Sequence, residues 1–164
     1  MQQLTDSAIR KSFINATRSE VAALNLPSGF AGLDWENLDY LGWREPKMPQ
    51  RGYLITPLDG KLVGVLLRAP ETSAPGNRRV LCALCQDVHS EEDVYLYVAR
   101  RAGQSGRNGN SVGTLICADF VCSANVRQEV PVTPITPDPA AVTAERIAGL
   151  RERTTRFLHR VLGR

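Results

Sequence analysis

The chain has no apolar run near the roughly 20 residues that a membrane-spanning helix needs. It has no Gly-x4-Gly-Lys-Ser/Thr phosphate loop, no Gly-x-Ser-x-Gly nucleophile turn and no paired-carboxylate motif. Its two histidines, His89 and His159, sit in unrelated contexts. Without a nucleophile, a base and an orienting partner in any recognisable spacing, the chain reads as a non-enzyme with no small-molecule substrate. The start, Met1-Gln2-Gln3-Leu4-Thr5-Asp6, lacks the basic and apolar regions of a secretory leader, so the expected compartment is the cytoplasm. Lysine is scarce: only Lys11, Lys47 and Lys61 among 20 cationic residues. Such a bias towards arginine can be compositional, which lowers the weight of any arginine cluster. The net charge of +3 is mild and does not by itself call for nucleic acid. No repeats appear. At 164 residues and 43% apolar, the chain suits one domain with a small helical attachment.

The four cysteines are the organising feature. They fall as Cys82-x2-Cys85 and Cys117-x4-Cys122 with 31 residues between the pairs. Two close pairs at this separation fit one tetrahedral zinc site closed by four thiolates. The competing reading is unrelated thiols or two disulfides, a framework more usual in small secreted chains. His89, four residues past Cys85, is a minor rival ligand. A closed site has no open position for water or substrate, so the expected cofactor is one structural Zn2+ per chain. Four thiolates on one zinc ion leave two negative charges, and Arg78, Arg79, Arg100 and Arg101 are candidates to offset them.

Between the pairs, Asp93 to Arg100 is β-branched and aromatic, a strand with Val94, Leu96 and Val98 on one side and Tyr95, Tyr97 and Ala99 on the other. Gly103 to Asn110 reads as a flexible turn, and Val112 to Ile116 as the return strand. Asp119 or Ser123 is placed to cap a short helix carrying Cys122. Knuckle, hairpin and ligand-bearing helix together make a treble-clef finger.

The flanks are legible in outline. Thr5 and the Thr17/Glu20 capping box start two short helices, and Pro27 stops the second. Asp34 caps a turn of helix holding Trp35, Leu38 and Leu41, and both tryptophans are expected to bury. Apolar runs on both sides of Asp59-Gly60 predict a hairpin over Gly52–Arg68. Val130 to Pro139 is proline-rich and extended. Thr143 opens a last helix whose Ile147, Leu150, Thr154, Phe157 and Val161 share one face, with arginines mostly elsewhere and expected in solvent. The fold class is α+β: short N-terminal helices, an antiparallel sheet of two hairpins, the treble-clef finger and a C-terminal helix. The division is residues 1–50 helical, 51–130 sheet and finger, 131–142 linker, and 143–164 basic amphipathic helix.

Leu41-Gly42-Trp43-Arg44, Leu58-Asp59-Gly60-Lys61, Cys82-Ala83-Leu84-Cys85, Val98 to Gly103 and Asn110-Ser111-Val112-Gly113-Thr114-Leu115-Ile116-Cys117-Ala118-Asp119 carry a resemblance. Across about Ile9 to Arg127 the chain resembles the elongation-factor-G-binding proteins, the group that includes staphylococcal fusidic-acid resistance proteins. The resemblance implies a four-cysteine zinc finger that binds elongation factor G and helps it leave the ribosome. Only about 50 residues precede the first hairpin here, where the resistance proteins carry a substantial helical bundle, so the resemblance implies factor binding more than resistance.

Two functional classes follow. The first is a protein-binding module for elongation factor G. The second is an RNA-binding zinc module acting on ribosomal RNA. Under either, the expected contact residues are Tyr95, Tyr97, Arg100, Arg101 and Arg107, because arginine and aromatics dominate hot spots and loops on rigid supports carry function. The rival for these residues is structural: arginines balancing the thiolates and tyrosines packed in the sheet.

Overall fold

The computed structural model describes residues 1–69, 80–88, 92–133 and 138–164. Thr5 caps α1 (Asp6–Lys11) by accepting from the Ala8 amide. Thr17 and Glu20 form the expected capping box of α2 (Arg18–Ala22). Helices this short do not persist alone. Arg10 ties the two together by donating to the carbonyls of Val21 at 2.6 Å and Leu24 at 3.0 Å.

Five antiparallel strands follow: β1 (Leu41–Glu45), β2 (Met48–Leu58), β3 (Lys61–Arg68), β4 (Val94–Arg100) and β5 (Ser111–Cys117), in that spatial order. Strand β1 is a correction. A helical turn was expected to run on through Leu41, but it is a single 3-10 turn, Trp35–Asn37. Leu41, Trp43 and Glu45 bury alternately, the period of a strand, and pair with the long strand β2. The β2–β3 turn is the expected Asp59-Gly60, with φ of 49° and 75°, the left-handed pair that matches strand twist. The β2–β3 and β4–β5 hairpins are joined through one register pair, Arg68 with Val98.

The sheet is covered on two sides. Ile9, Leu24, Trp35, Trp43, Tyr53 and Ile55 pack on one face, under the N-terminal segment. Leu54, Val65, Leu67, Tyr97 and Ala99 pack on the other, with the four cysteines and the last helix. Both tryptophans bury as expected.

The stretch expected to be a flexible turn is ordered as α3 (Gly103–Arg107). A Cβ at Gly106 would stand 1.8 Å from the Arg101 carbonyl oxygen, so the helix can seat there only with glycine. The loop closes through Arg101 N–H to the Asn110 carbonyl at 2.9 Å and Asn110 N–H to the Ser105 carbonyl at 3.1 Å. Helix α4 (Cys122–Asn125) is not capped by Asp119 or Ser123; Val121 precedes it with no side-chain cap. Asp119 instead faces Arg44, and the Ser123 hydroxyl accepts from the Asp39 amide.

Helix α5 (Pro139–Leu162) begins four residues before the expected Thr143, because Asp138 caps it and Pro139 suits the first turn. Pro134 to Pro137 of the proline-rich stretch lie outside the described residues. The buried stripe is Leu150, Thr154, Phe157, Leu158 and Val161, close to expectation. Asp39 ties this helix to the rest. Its carboxylate takes Arg127 at 2.6 Å and Arg151 at 2.8 Å, and its side chain is 1% exposed.

Replacing Asp39 with alanine strips a buried partner from Arg127 and frees α5 at one point. Arg151 is 61% exposed, so its share is small. Chemical denaturation of Asp39→Ala should show a loss of about 2–3 kcal/mol, below the range for a fully buried pair. An unchanged midpoint would show that this junction does not hold the helix.

Candidate metal centre

The first knuckle, Cys82 to Cys85, lies against β5. The Ala83 amide donates to the Leu115 carbonyl at 2.8 Å, which docks the knuckle beside the strand that ends in Cys117. The Gln86 amide closes the turn onto the Cys82 carbonyl at 3.0 Å, and Gln86 takes a left-handed φ of 55°. The Leu84 amide points at the Cys82 sulfur, 3.4 Å away. Such N–H···S bonds favour thiolate over thiol. On the other side, β5 delivers Cys117, and a tight turn returns the chain to Cys122 at the first turn of α4. Phe120 pivots that turn at φ 61°, with its amide on the Cys117 carbonyl at 3.0 Å.

All four cysteines are buried, and their sulfurs lie within 4.8 Å of one another. Cys82 Sγ is 3.6 Å from Cys122 Sγ, and Cys85 Sγ is 3.6 Å from Cys117 Sγ. A disulfide needs about 2.05 Å, so the sulfurs are not bonded in pairs. A tetrahedron with Zn–S of about 2.3 Å has edges near 3.8 Å. The donor set and its spacing therefore fit one zinc ion. The sulfurs also cannot titrate independently. Ionising one of four thiols this close together raises the cost of ionising the next. A cation at the centre removes that conflict by letting all four ionise.

Residues beyond the ligands complete the setting. Asn125, one helical turn after Cys122, directs its amide at Cys117 Sγ at 3.6 Å and Cys85 Sγ at 3.8 Å. Tyr40 lies in the same core, and burial, followed by the charge of Cys122, keeps its hydroxyl protonated to well above the ordinary range. Arg153 of α5 donates from Nε to the Leu84 carbonyl, inside the knuckle, at 2.6 Å. Sequence reasoning missed all three. Only Asn125 left a local signal, its three-residue spacing from a ligand on a helix.

The chain belongs to the family of FBP C-terminal treble-clef zinc fingers. The family model matches residues 8–161, nearly the whole chain. Among solved structures, that of the fusidic acid resistance protein FusC is similar, with a TM-score of 0.53 at 23% identity. The match covers 76% of this chain and 52% of that one, so the chain spans about half the length of that protein. At this identity the likeness speaks for the fold. No curated protein matches the chain.

The residues expected at a contact surface are split up by the fold. Tyr97 is fully buried and donates its hydroxyl to the Ala118 carbonyl at 2.7 Å, so it packs the core and offers nothing to a partner. Tyr95 is half-buried beneath the Arg44 guanidinium, 5.1 Å from the ring centre. Arg100 reaches towards Glu20 at 3.9 Å, where Arg68 already sits at 2.7 Å. Arg107 is exposed and bonds Gln104 in its own helix. Arg101 is half-buried beside Gly163 at the end of α5.

The expected charge balance is also corrected. Arg100 pairs with Ser111 and Val94 with Cys117, at opposite ends of the hairpin. Six residues of strand separate Arg100 from the cysteine end by about 20 Å. Arg100 and Arg101 therefore do not neutralise the thiolates. Arg78, Arg79 and His89 lie outside the described residues.

Metal analysis of untagged protein should return about one zinc per chain, as a four-ligand site requires. Metal-free protein with two disulfides would contradict the site. Zinc in small fingers is worth about 10–16 kcal/mol, more than most domains hold in net stability. Cys117→Ser should therefore lose near-UV dichroism and amide protection across β4, β5 and α4. Protection kept at the parental level there would mean that the metal is dispensable.

Proposed function

We propose that the chain is a cytoplasmic, non-enzymatic zinc module that binds elongation factor G and promotes its release from the ribosome. Membership of the FBP zinc-finger family over residues 8–161 supports the reading, as does the fold shared with a fusidic acid resistance protein. The closed four-thiolate set supports a structural rather than catalytic metal.

The observation that carries a protein partner over RNA is the outer side of the zinc hairpin. Leu96 is 50% exposed in mid-strand, with Val94, Val98 and Leu115 half-buried around it. The N-terminal segment packs on the Trp43, Tyr53 and Leu66 side of β1 to β3, whereas Leu96 of β4 remains open. Apolar side chains in this setting suit a protein surface and do nothing for phosphate. Arg100, at the end of the same strand, and Arg107, on the adjoining α3, add polar anchors at the rim. Tyr95 and Tyr97 lie on the opposite face of β4, against the core, and half-buried Arg101 follows the strand.

Two variants test the reading: Leu96→Asp alone, and Arg100→Ala with Arg101→Ala and Arg107→Ala. Both should keep one zinc, and each should weaken binding to purified elongation factor G at least tenfold, about 1.4 kcal/mol. Equal affinity in both variants and parent would remove this surface. Titration against ribosomal RNA at low and moderate salt should give weak binding; tight binding that falls steeply with salt would favour the RNA reading.

A further inference from the structure

Four thiolates and a zinc ion form a buried unit with two negative charges, and Arg100 and Arg101, two of the arginines expected to face it, stand at the far end of the hairpin. The last helix supplies a cation instead. Arg153 crosses from α5 to donate its Nε–H to the Leu84 carbonyl at 2.6 Å. Leu84 lies between Cys82 and Cys85, and its own amide points at Cys82 Sγ. The Leu84 carbonyl belongs to the peptide unit that leads into Cys85, so this bond restrains the backbone of that ligand, and it brings a positive charge onto the knuckle. Leu84 itself is 1% exposed, in a core shared with Leu150, Phe157 and Leu158 of α5.

Gly149 is part of the same arrangement. It sits in the middle of a 24-residue helix, where glycine is the least favourable residue after proline. A Cβ there would lie 2.7 Å from Nη1 and 3.1 Å from Nη2 of Arg153. The guanidinium thus occupies the space that a side chain at 149 would fill. The φ of Gly149 is ordinary, so the backbone does not demand glycine; the arginine's path does.

We propose that Arg153, lying across Gly149, is a positioning residue of the zinc site, and that it slows metal release by locking the Cys82–Cys85 knuckle from α5. The inference concerns the chain's hold on its metal and is independent of which partner the module binds. Groups that orient metal ligands from outside typically change metal affinity by about 10–100-fold when removed.

The test measures zinc transfer from intact holoprotein to a chromogenic chelator, alongside zinc content and thermal melting. Arg153→Met keeps most of the aliphatic stem and removes the charge and the donor; it should release zinc at least about tenfold faster. Arg153→Lys restores a charge and a donor and should recover most of the parental rate. Gly149→Ala is the sharper variant. On helix propensity alone it strengthens α5 and leaves the metal untouched. By displacing the guanidinium it should instead speed zinc release while the far-UV helix signal is kept. Arg156→Met, which removes an exposed pair with Glu152, is the control and should match the parent. If Arg153→Met fails to fold, the lysine and alanine variants still decide. Parental release rates in folded Arg153→Met, or in Gly149→Ala, would overturn the proposal. So would an Arg153→Lys protein as leaky as the methionine variant, since the charge would then be irrelevant.

Discussion

Four sulfurs are held within 4.8 Å of one another in a buried core, and that is the constraint on which the zinc half of the molecule depends. Thiolates so placed repel one another, and a cation bound by all four removes that repulsion. Once it is present, the knuckle, the end of β5 and the first turn of α4 become one rigid unit. None of these pieces is long enough to be stable alone. The Cys117–Cys122 turn even holds Phe120 at a left-handed φ, a conformation that persists only where its surroundings enforce it.

The same turn connects the metal to the rest of the sheet. The Phe120 ring packs over β1 and β2, where Cβ atoms at Gly42 and Gly52 would each come within 2.7 Å of it. Side chains there would push the ring out and loosen the metal turn. Tyr97 stacks against Phe120 at 5.0 Å between centroids, from the neighbouring hairpin. The sheet is therefore continuous with the metal site through aromatic packing as well as through β5. Asp39 performs a similar task by charge, drawing together the entrance to β1, the segment after α4 and the middle of α5.

Several arginines that look free in the chain are engaged in the fold. Arg68 meets Glu20, Arg127 and Arg151 meet Asp39, Arg153 meets the knuckle, and Arg164 meets Asp59 at 3.4 Å. Among the described residues of the outer zinc hairpin, Leu96 stays half-exposed, and Arg107 is exposed on the adjoining α3.

The sequence alone determined whatever depended on short-range chemistry. The paired cysteine spacing announced a metal site, because each pair lies within one turn's reach. Thr5, Thr17 with Glu20, and Asp59-Gly60 marked helix starts and a hairpin, because caps and turns are satisfied by atoms a few residues away. Alternation along 94–99 divided the strand into two faces, but the face of Tyr95, Tyr97 and Ala99, whose tyrosines were expected at a contact surface, is the one that packs on the core. Tertiary structure decided the remainder, because it turned on contacts between distant segments. Residues Leu41 to Glu45 became a strand because β2 offered an edge to pair with, overriding a helical local preference. Gly103 to Arg107 became a helix within a loop closed between Arg101 and Asn110, where Gly106 leaves room for the Arg101 carbonyl. Tyr95 and Tyr97 carry the same residue type on the same side of one strand, yet only Tyr97 is sealed into the core. Arg153 is one arginine among many on a basic helix, and only the docking of α5 against a knuckle some 70 residues earlier selects it for the metal.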